Sequence, residues 1–373
     1  MPRSVLVTGA TGMFGRALVR HLLTETAATC HVFIHRHGVA ASRGRLLREV
    51  FRLEDRTGLR NRIHVLEGDI TRPRFGLPLD VYRRAARDVD SVLHAAAATR
   101  FDLSLAAARA VNVGGTRNAV RFAADCRDLD RFGQVSTVYV SGRRSGCILE
   151  RELRHEAGFV NTYEQSKNEA EAMVAANVNL PSATYRLSTL LGDSKTGRTS
   201  HFTAAHQALR VMHLGLASIV PGDPDCRIDL IPTDLAAAAV GTLFADHFNP
   251  GRTVHVVAGD QRSLTLGQLI EECYGILSSI DPAWAARRFP LPVIGSMDAF
   301  RLLVRSAEEA RNPLFASLYR GLLTYAAQFE FPKSFDAANL HEVLPDFQSG
   351  LPDPHEFLEH VLRYCLDTRW GRR

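Results

Sequence analysis

The chain has 373 residues, 46% of them hydrophobic, and a formal net charge of +5. That length suits one large domain or two coupled ones with an ample core. No apolar run approaches the ~20 residues of a membrane span, and the modest, dispersed positive charge favours small anionic ligands over nucleic acid.

The first predicted strand, Ser4 to Val7, starts too early to leave room for a secretory leader. It runs into Thr8-Gly9-Ala10-Thr11-Gly12-Met13-Phe14-Gly15, and Ala17, Leu18, Leu22 and Leu23 follow at helical spacing. Strand, glycine loop and helix in that order predict a dinucleotide cradle. Gly9 permits the tight turn, Gly12 lets the backbone approach a pyrophosphate, and Gly15 lets helix and strand pack closely. The second predicted strand, His31 to Ile34, lacks at its end the acidic residue that would hold a ribose 2′-hydroxyl. It ends instead in His35-Arg36-His37, with Arg43 and Arg45 beyond. Arginine there suits a 2′-phosphate, so the cofactor is read as NADPH.

Further strands are predicted at 63–66, 91–94, 132–137 and 183–187, with helical runs between them. This rhythm means an α/β fold with a doubly wound, parallel, Rossmann-type sheet whose ligands gather at the carboxyl ends of the strands. After about residue 195 the rhythm breaks. Residues 203–219 read as a helix, Arg227 to Pro232 as a short strand, a helix starts near Asp234, and Thr253 to Val257 returns to the sheet. Residues 264–365 read as mainly helical. The expected organisation is an NADP-binding domain over 1–200, its sheet completed by 253–258, and a smaller, mainly helical substrate-binding subdomain from 201–252 and 259–373. The six cysteines are scattered without a C-x-x-C pair, so free thiols in a reducing cytoplasm are expected, with no metal site.

Lys167 is one of three lysines in a chain with 42 arginines, and it follows Tyr163 by four residues. Helical spacing puts the two on one face. An ammonium beside a phenol stabilises the phenolate, so the Tyr163 pKa is expected to fall toward neutrality, making a general acid. Ser136 and Thr137, at a strand end, both qualify as a second donor to an oxyanion. His94 reads as a satisfied buried histidine, and His201, His206 and His213 show no ligand spacing.

The ordered stretches Thr8-Gly9-x-x-Gly12-x-x-Gly15, Gly68-Asp69, His94-Ala95-Ala96-Ala97, Asn112-Val113-x-Gly115-Thr116, Ser136-Thr137-Val138-Tyr139-Val140 and Asn161-x-Tyr163-x-x-x-Lys167 resemble an extended short-chain dehydrogenase/reductase. Arg186-Leu187-Ser188, Gly192-x-Ser194-x-Thr196-Gly197 and Asp229-Leu230-Ile231-Pro232-x-Asp234 follow; the Ser136-Thr137-x-Tyr139-Val140, Gly192 and Asp229 stretches make the chain similar to thioester reductase domains and fatty-acyl-CoA reductases. Leu187 departs from the proline usual after that arginine. The resemblance covers roughly residues 4–260. It implies Thr137, Tyr163 and Lys167 as the catalytic set, Thr137 being preferred to Ser136. It implies cofactor contacts from Gly9, Thr11, Gly12, Met13, Phe14, Gly15, Arg36, Arg45, Asp69, Ile70, Ala95, Ala96, Ala97, Asn112, Tyr163, Lys167, Leu187 and Leu190. Asp69 and Ile70 would flank the adenine, and Asn112 would hold a backbone group or water or simply pack its helix.

The implied reaction is NADPH-dependent reduction of an acyl thioester, borne by coenzyme A or a carrier protein, to an aldehyde; whether a second hydride then gives an alcohol stays open. The alternative keeps the fold and changes the substrate to a ketone, a hydroxysteroid-like compound or a nucleotide sugar, the last by epimerase or dehydratase chemistry. A dehydratase would want a carboxylate near the hydroxyl motif, and Ser136-Thr137-Val138 offers none. A non-catalytic cofactor sensor is the third reading. The acyl group and the oligomeric state stay open.

Overall fold

Strand β1 (Ser4–Thr8) alternates its apolar side chains between two faces, with Val5 and Val7 on one and Leu6 on the other. It is an interior strand of a seven-stranded sheet with β2 (Thr29–His35), β3 (Ile63–Gly68), β4 (Ser91–His94), β5 (Arg131–Thr137), β6 (Ser182–Leu187) and β7 (Thr253–Val256). The order is β7-β6-β5-β4-β1-β2-β3, every pair parallel. The protein's structure, a computed structural model, describes residues 1–35, 46–53, 57–309, 319, 322, 323 and 325–371. Arg36 and Arg45, the expected 2′-phosphate ligands, lie outside the described residues, as do His37 and Arg43.

Both sheet faces are covered, which is why the strands read as near-continuous apolar runs. On one face pack α1 (Met13–Glu25) and α6 (Thr233–Ala245), through Leu18, Leu22, Val240 and Leu243. On the other pack α2 (Leu79–Asp88), α3 (Gly115–Asp125) and part of α4 (Thr162–Ala175), through Tyr82, Phe122 and Val174. Because all seven strands are parallel, Thr8, Gly68, His94, Thr137 and Leu187 end on one edge, where the expected site residues collect.

A second core joins α5 (Ala204–His213), α7 (Leu266–Ile280) and α9 (Pro354–Asp367), with Trp284, Tyr325 and Phe329; α8 (Met297–Glu309) adds a smaller cluster through Phe300 and Val304. This is the mainly helical C-terminal region. Its boundaries differ from the expected ones. Helix α6 lies within 201–252, and Ala337, Leu340 and Leu351 lie within 259–373, yet all belong to the sheet's core. The predicted strand at 227–232 is two two-residue pieces, one paired with Leu264–Thr265 and the other with Thr189–Leu190. Among the described residues, no helix is long and apolar enough to cross a membrane.

Candidate active site

The glycine loop is shaped by contact. Gly9 has φ +71°, and a Cβ there would meet the Ala95 and Ala96 backbone at 2.7 Å. A Cβ on Gly15 would lie 2.0 Å from the Gly9 carbonyl oxygen. Gly12 differs: a Cβ would approach only the Gly9 oxygen, at 3.3 Å, so its outer side is open. Gly12 is also the N-cap of α1, and no side chain caps that helix. The amides of Met13, Phe14 and Gly15 head a thirteen-residue helix whose dipole favours an anion. An open glycine at an uncapped helix start fits a dinucleotide pyrophosphate. Thr11 accepts from Arg16 Nε through its carbonyl (2.7 Å), and Met13 Sδ contacts Thr199 Oγ1 (3.1 Å), so the loop is braced from both sides.

The loop after β4 is held by a buried chain of polar groups. Thr8 Oγ1 accepts from the Ala96 amide (3.2 Å) and lies 2.8 Å from His94 Nδ1. His94 Nε2 lies 2.9 Å from Thr116 Oγ1, which itself donates to the Asn112 carbonyl (2.6 Å). The chain is consistent when His94 donates through Nε2 and accepts at Nδ1, a neutral ring. Burial enforces neutrality by pushing its pKa down to about 3. Asn112 engages its whole amide inside the protein: Oδ1 accepts from Ala98 N (2.7 Å), and Nδ2 donates to Ala98 O (3.1 Å) and Ser166 Oγ (2.9 Å). Of the two roles expected for it, the structure shows the brace, tying the alanine loop to α4.

Asp69 and Ile70 stand at the end of β3. Asp69 Oδ1 accepts from Thr71 N and Oγ1 (2.9 and 2.7 Å), which holds its pKa below the ordinary value, and Ile70 packs against Gly115. Leu187 sits in register with Thr137 across β5 and β6, its side chain in the sheet's core; Leu190 packs on the same core.

Helix α4 opens with Asn161, whose Oδ1 accepts from Glu164 N (3.0 Å). This places Tyr163 in the first turn and Lys167 one turn on. The Thr137 side chain lies close enough to the Tyr163 phenol to favour its ionised form, and Thr137 Oγ1 accepts from Tyr139 N (3.3 Å). Ser136 is turned to Glu171, donating to Oε2 (2.8 Å). The geometry therefore separates two hydroxyls that the residue types alone leave equivalent. The expected fall of the Tyr163 pKa is not what the structure shows. Burial pushes it up to about 12, opposed by the nearby Thr137 side chain. Lys167 does not supply the expected stabilisation because its ammonium donates to the Val135 carbonyl (2.8 Å) and is itself pushed down to about 8 by burial.

Several residues at the site went unforeseen. Phe101 lies against Tyr163 (ring centroids 5.5 Å) and stacks on Tyr325 (6.2 Å, interplanar 11°). Glu164 accepts from Val160 N (2.9 Å) and Gln328 Nε2 (2.9 Å), and the charge of Lys333 favours its ionised form. Lys333 is buried and donates to the Gly142 carbonyl (2.5 Å). A signal for it existed: it is another of the three lysines, and the rarity that marks Lys167 marks it equally. Beneath the site, Arg186 donates through Nε and Nη2 to Glu171 (2.8 and 2.5 Å), both fully buried. Two of the three stretches that suggested acyl reductases brace the fold: Asp234 holds Ser194 N and Oγ (2.8 and 2.6 Å), and Asp229 accepts from the Ala258 and Gly259 amides (2.9 Å each).

A family model described as Male sterility protein matches residues 7–240. A linear gramicidin synthase polypeptide of Brevibacillus parabrevis is 29% identical over 265 residues, 68% of this chain but 5% of that protein. Fatty acyl-CoA reductase wat of Drosophila melanogaster is 25% identical over 274 residues, 64% of this chain and 53% of that protein. The chain thus spans about half the length of the second relative and a small part of the first. Among solved structures, the terminal R domain from the myxalamid PKS-NRPS biosynthetic pathway shares the fold, with a TM-score of 0.82 at 23% identity over 99% of this chain and 92% of its own. With more than half of its length matched by that family model, the chain belongs to the Male sterility protein family, NAD(P)-binding members of the extended short-chain dehydrogenases/reductases.

Proposed function

We propose that the protein reduces an acyl thioester, carried by coenzyme A or a carrier protein, to the aldehyde with release of the thiol, and that its cofactor is NADPH. The observation that carries the reading is the juxtaposition of Thr137 and Tyr163 at the carboxyl edge of the sheet, one turn from Lys167 and beside an open glycine cradle. The acyl-reductase relatives support the substrate class. The bound cofactor supplies the hydride. Tyr163, with its pKa near 12, is fully protonated at neutral pH, as a proton donor must be. It gives its proton to the carbonyl oxygen as charge develops there, and Thr137, steadied by the Tyr139 amide, is the second donor to that oxygen. The resulting hemithioacetal breaks its carbon–sulfur bond, the hydroxyl proton passes to the departing sulfur, and the aldehyde remains. A second reduction gives the alcohol.

Gly9, Thr11, Gly12, Met13, Phe14 and Gly15 hold the pyrophosphate in this reading. Asp69 and Ile70 flank the adenine, Ala95 to Ala97 line the cofactor, Lys167 holds ribose hydroxyls, and Leu187 and Leu190 border the nicotinamide. Arg36 and Arg45 take the 2′-phosphate. The helical C-terminal region receives the substrate.

The test follows reduced-nicotinamide absorbance and free thiol together across a panel of acyl-coenzyme A and acyl-carrier thioesters. Coupled loss of absorbance and release of thiol is expected, and Tyr163→Phe should lower the rate by about 10²–10⁴-fold while leaving cofactor affinity near wild type. Turnover of ketones with none of thioesters would move the enzyme to the alternative chemistry.

A further inference from the structure

The helical region holds a cavity of about 60 Å³, several times the ~10–15 Å³ that one water requires. Leu209, Met212, Leu266, Leu269, Tyr325 and Phe329 contribute to its wall. The side-chain oxygens on the wall are two phenols, those of Tyr319 and Tyr325. Tyr319 donates to the Leu216 carbonyl (2.7 Å), and the buried Tyr325 phenol has the Thr189 side chain beside it, which tempers the rise of its pKa. A space of this size whose wall is otherwise wholly aliphatic or aromatic repels water and rewards hydrocarbon.

The cavity also has an address. Tyr325 forms part of its wall and presents the same ring to Phe101, which lies against Tyr163. At the same end, Leu191 and Leu230 on the wall adjoin the short strand pair that holds Thr189, whose Oγ1 meets the Tyr139 hydroxyl (2.7 Å). Two aromatic contacts thus separate the proton donor from this apolar cavity.

Resting on the reductase reading above, we infer that this cavity receives the far end of an unbranched, apolar acyl chain, with Phe101 and Tyr325 forming the passage between it and the reacting carbonyl. A peptidyl or hydroxylated acyl end would bring polar groups to a wall that is almost wholly apolar. The specificity is for hydrocarbon, and it is read at the end of the chain remote from the thioester.

The test uses a measurement that needs no turnover. Non-reducible S-alkyl pantetheine thioethers, from ethyl to dodecyl, are titrated calorimetrically into the full-length protein with NADPH present, and kcat/KM is measured for the matching thioesters. Affinity is expected to rise about three- to fourfold per methylene until the cavity is full, with a negative heat-capacity change. Ala208→Phe, which fills the cavity from α5, should bring the plateau to shorter chains. Should that variant not fold, Leu269→Ala, which enlarges the cavity, should move the plateau to longer ones. Affinity that does not change with length, or a plateau that neither variant moves, overturns the inference and leaves the reductase reading intact. Affinity that climbs with length while no thioester is reduced supports the cavity's role and removes the reductase reading instead.

Discussion

Two adjacent hydroxyls on β5 do different work. Ser136 Oγ is engaged by Glu171, which also bonds buried Arg186, whereas Thr137 meets Tyr163. Ser136→Ala is expected to cost about 1–3 kcal/mol of stability by removing a donor to a buried carboxylate, with kcat close to wild type. Thr137→Ala should lower kcat by about 10²-fold and leave stability nearly unchanged. Denaturant unfolding and steady-state kinetics on the two variants check the division. Glu164, next to Tyr163, gives a pH prediction. Burial raises it from 4.5 to about 7, against the attraction of Lys333. A raised carboxyl means that the folded state holds a proton the unfolded chain releases. Its contribution is full below the unfolded value and is lost as pH rises through the folded one. Melting temperature should therefore fall between about pH 5 and pH 8, and Glu164→Gln should flatten that fall. A slope unchanged in the variant would assign it to other groups.

At the scale of elements, the glycine loop shows how much was legible. Its strand, loop and helix were readable because apolar period and glycine spacing are local signals. The structure adds that the three glycines are not equivalent. Gly15→Ala drives a methyl into the Gly9 carbonyl and should abolish folding or cost several kcal/mol, about 3 or more. Gly12→Ala meets one backbone oxygen at 3.3 Å, so stability should change by about 1 kcal/mol or less while the cofactor KM rises about tenfold or more. Thermal melts with cofactor titration separate the two. What was not legible is pairing at long range. Gly146–Ile148 and Lys333–Phe335 are three-residue strands joined across more than half the chain. Neither has enough length for a period to show, and the contact that aligns them, Lys333 on the Gly142 carbonyl, exists only in the folded state. The direction of the Tyr163 pKa was out of reach for the same reason: spacing places Lys167 near the phenol but does not reveal that Val135 already holds the ammonium.

At the scale of the molecule, the two cores are interleaved along the chain. Helix α6, strand β7 and residues 337–351 all complete the sheet's core; the return of β7 to the sheet is as expected, whereas α6 and 337–351 come from segments expected in the substrate-binding subdomain. A fragment of residues 1–200 is therefore expected to be insoluble or molten, lacking α6 over Leu18 and Leu22 and leaving the Ser182–Leu187 edge unpaired. Near-UV circular dichroism of the fragment would decide, and a cooperative melt with native signal would contradict the interleaving. Glu150 shows how tight the closure is. Its carboxylate accepts from His255 N and Asn339 N, both at 2.8 Å, stitching β7 to the segment beyond Phe335.

That stitching has a consequence in time. A chain made from its N-terminus presents β1 to β6 long before β7 exists, and Leu340, fully buried over the same core, comes later still. During synthesis the Ser182–Leu187 edge waits, exposed, for a partner about seventy residues away and a cover further off. The nascent protein thus passes through a long window with an unpaired apolar edge, the period in which it is most open to chaperone capture or to pairing with a neighbour on the same polysome.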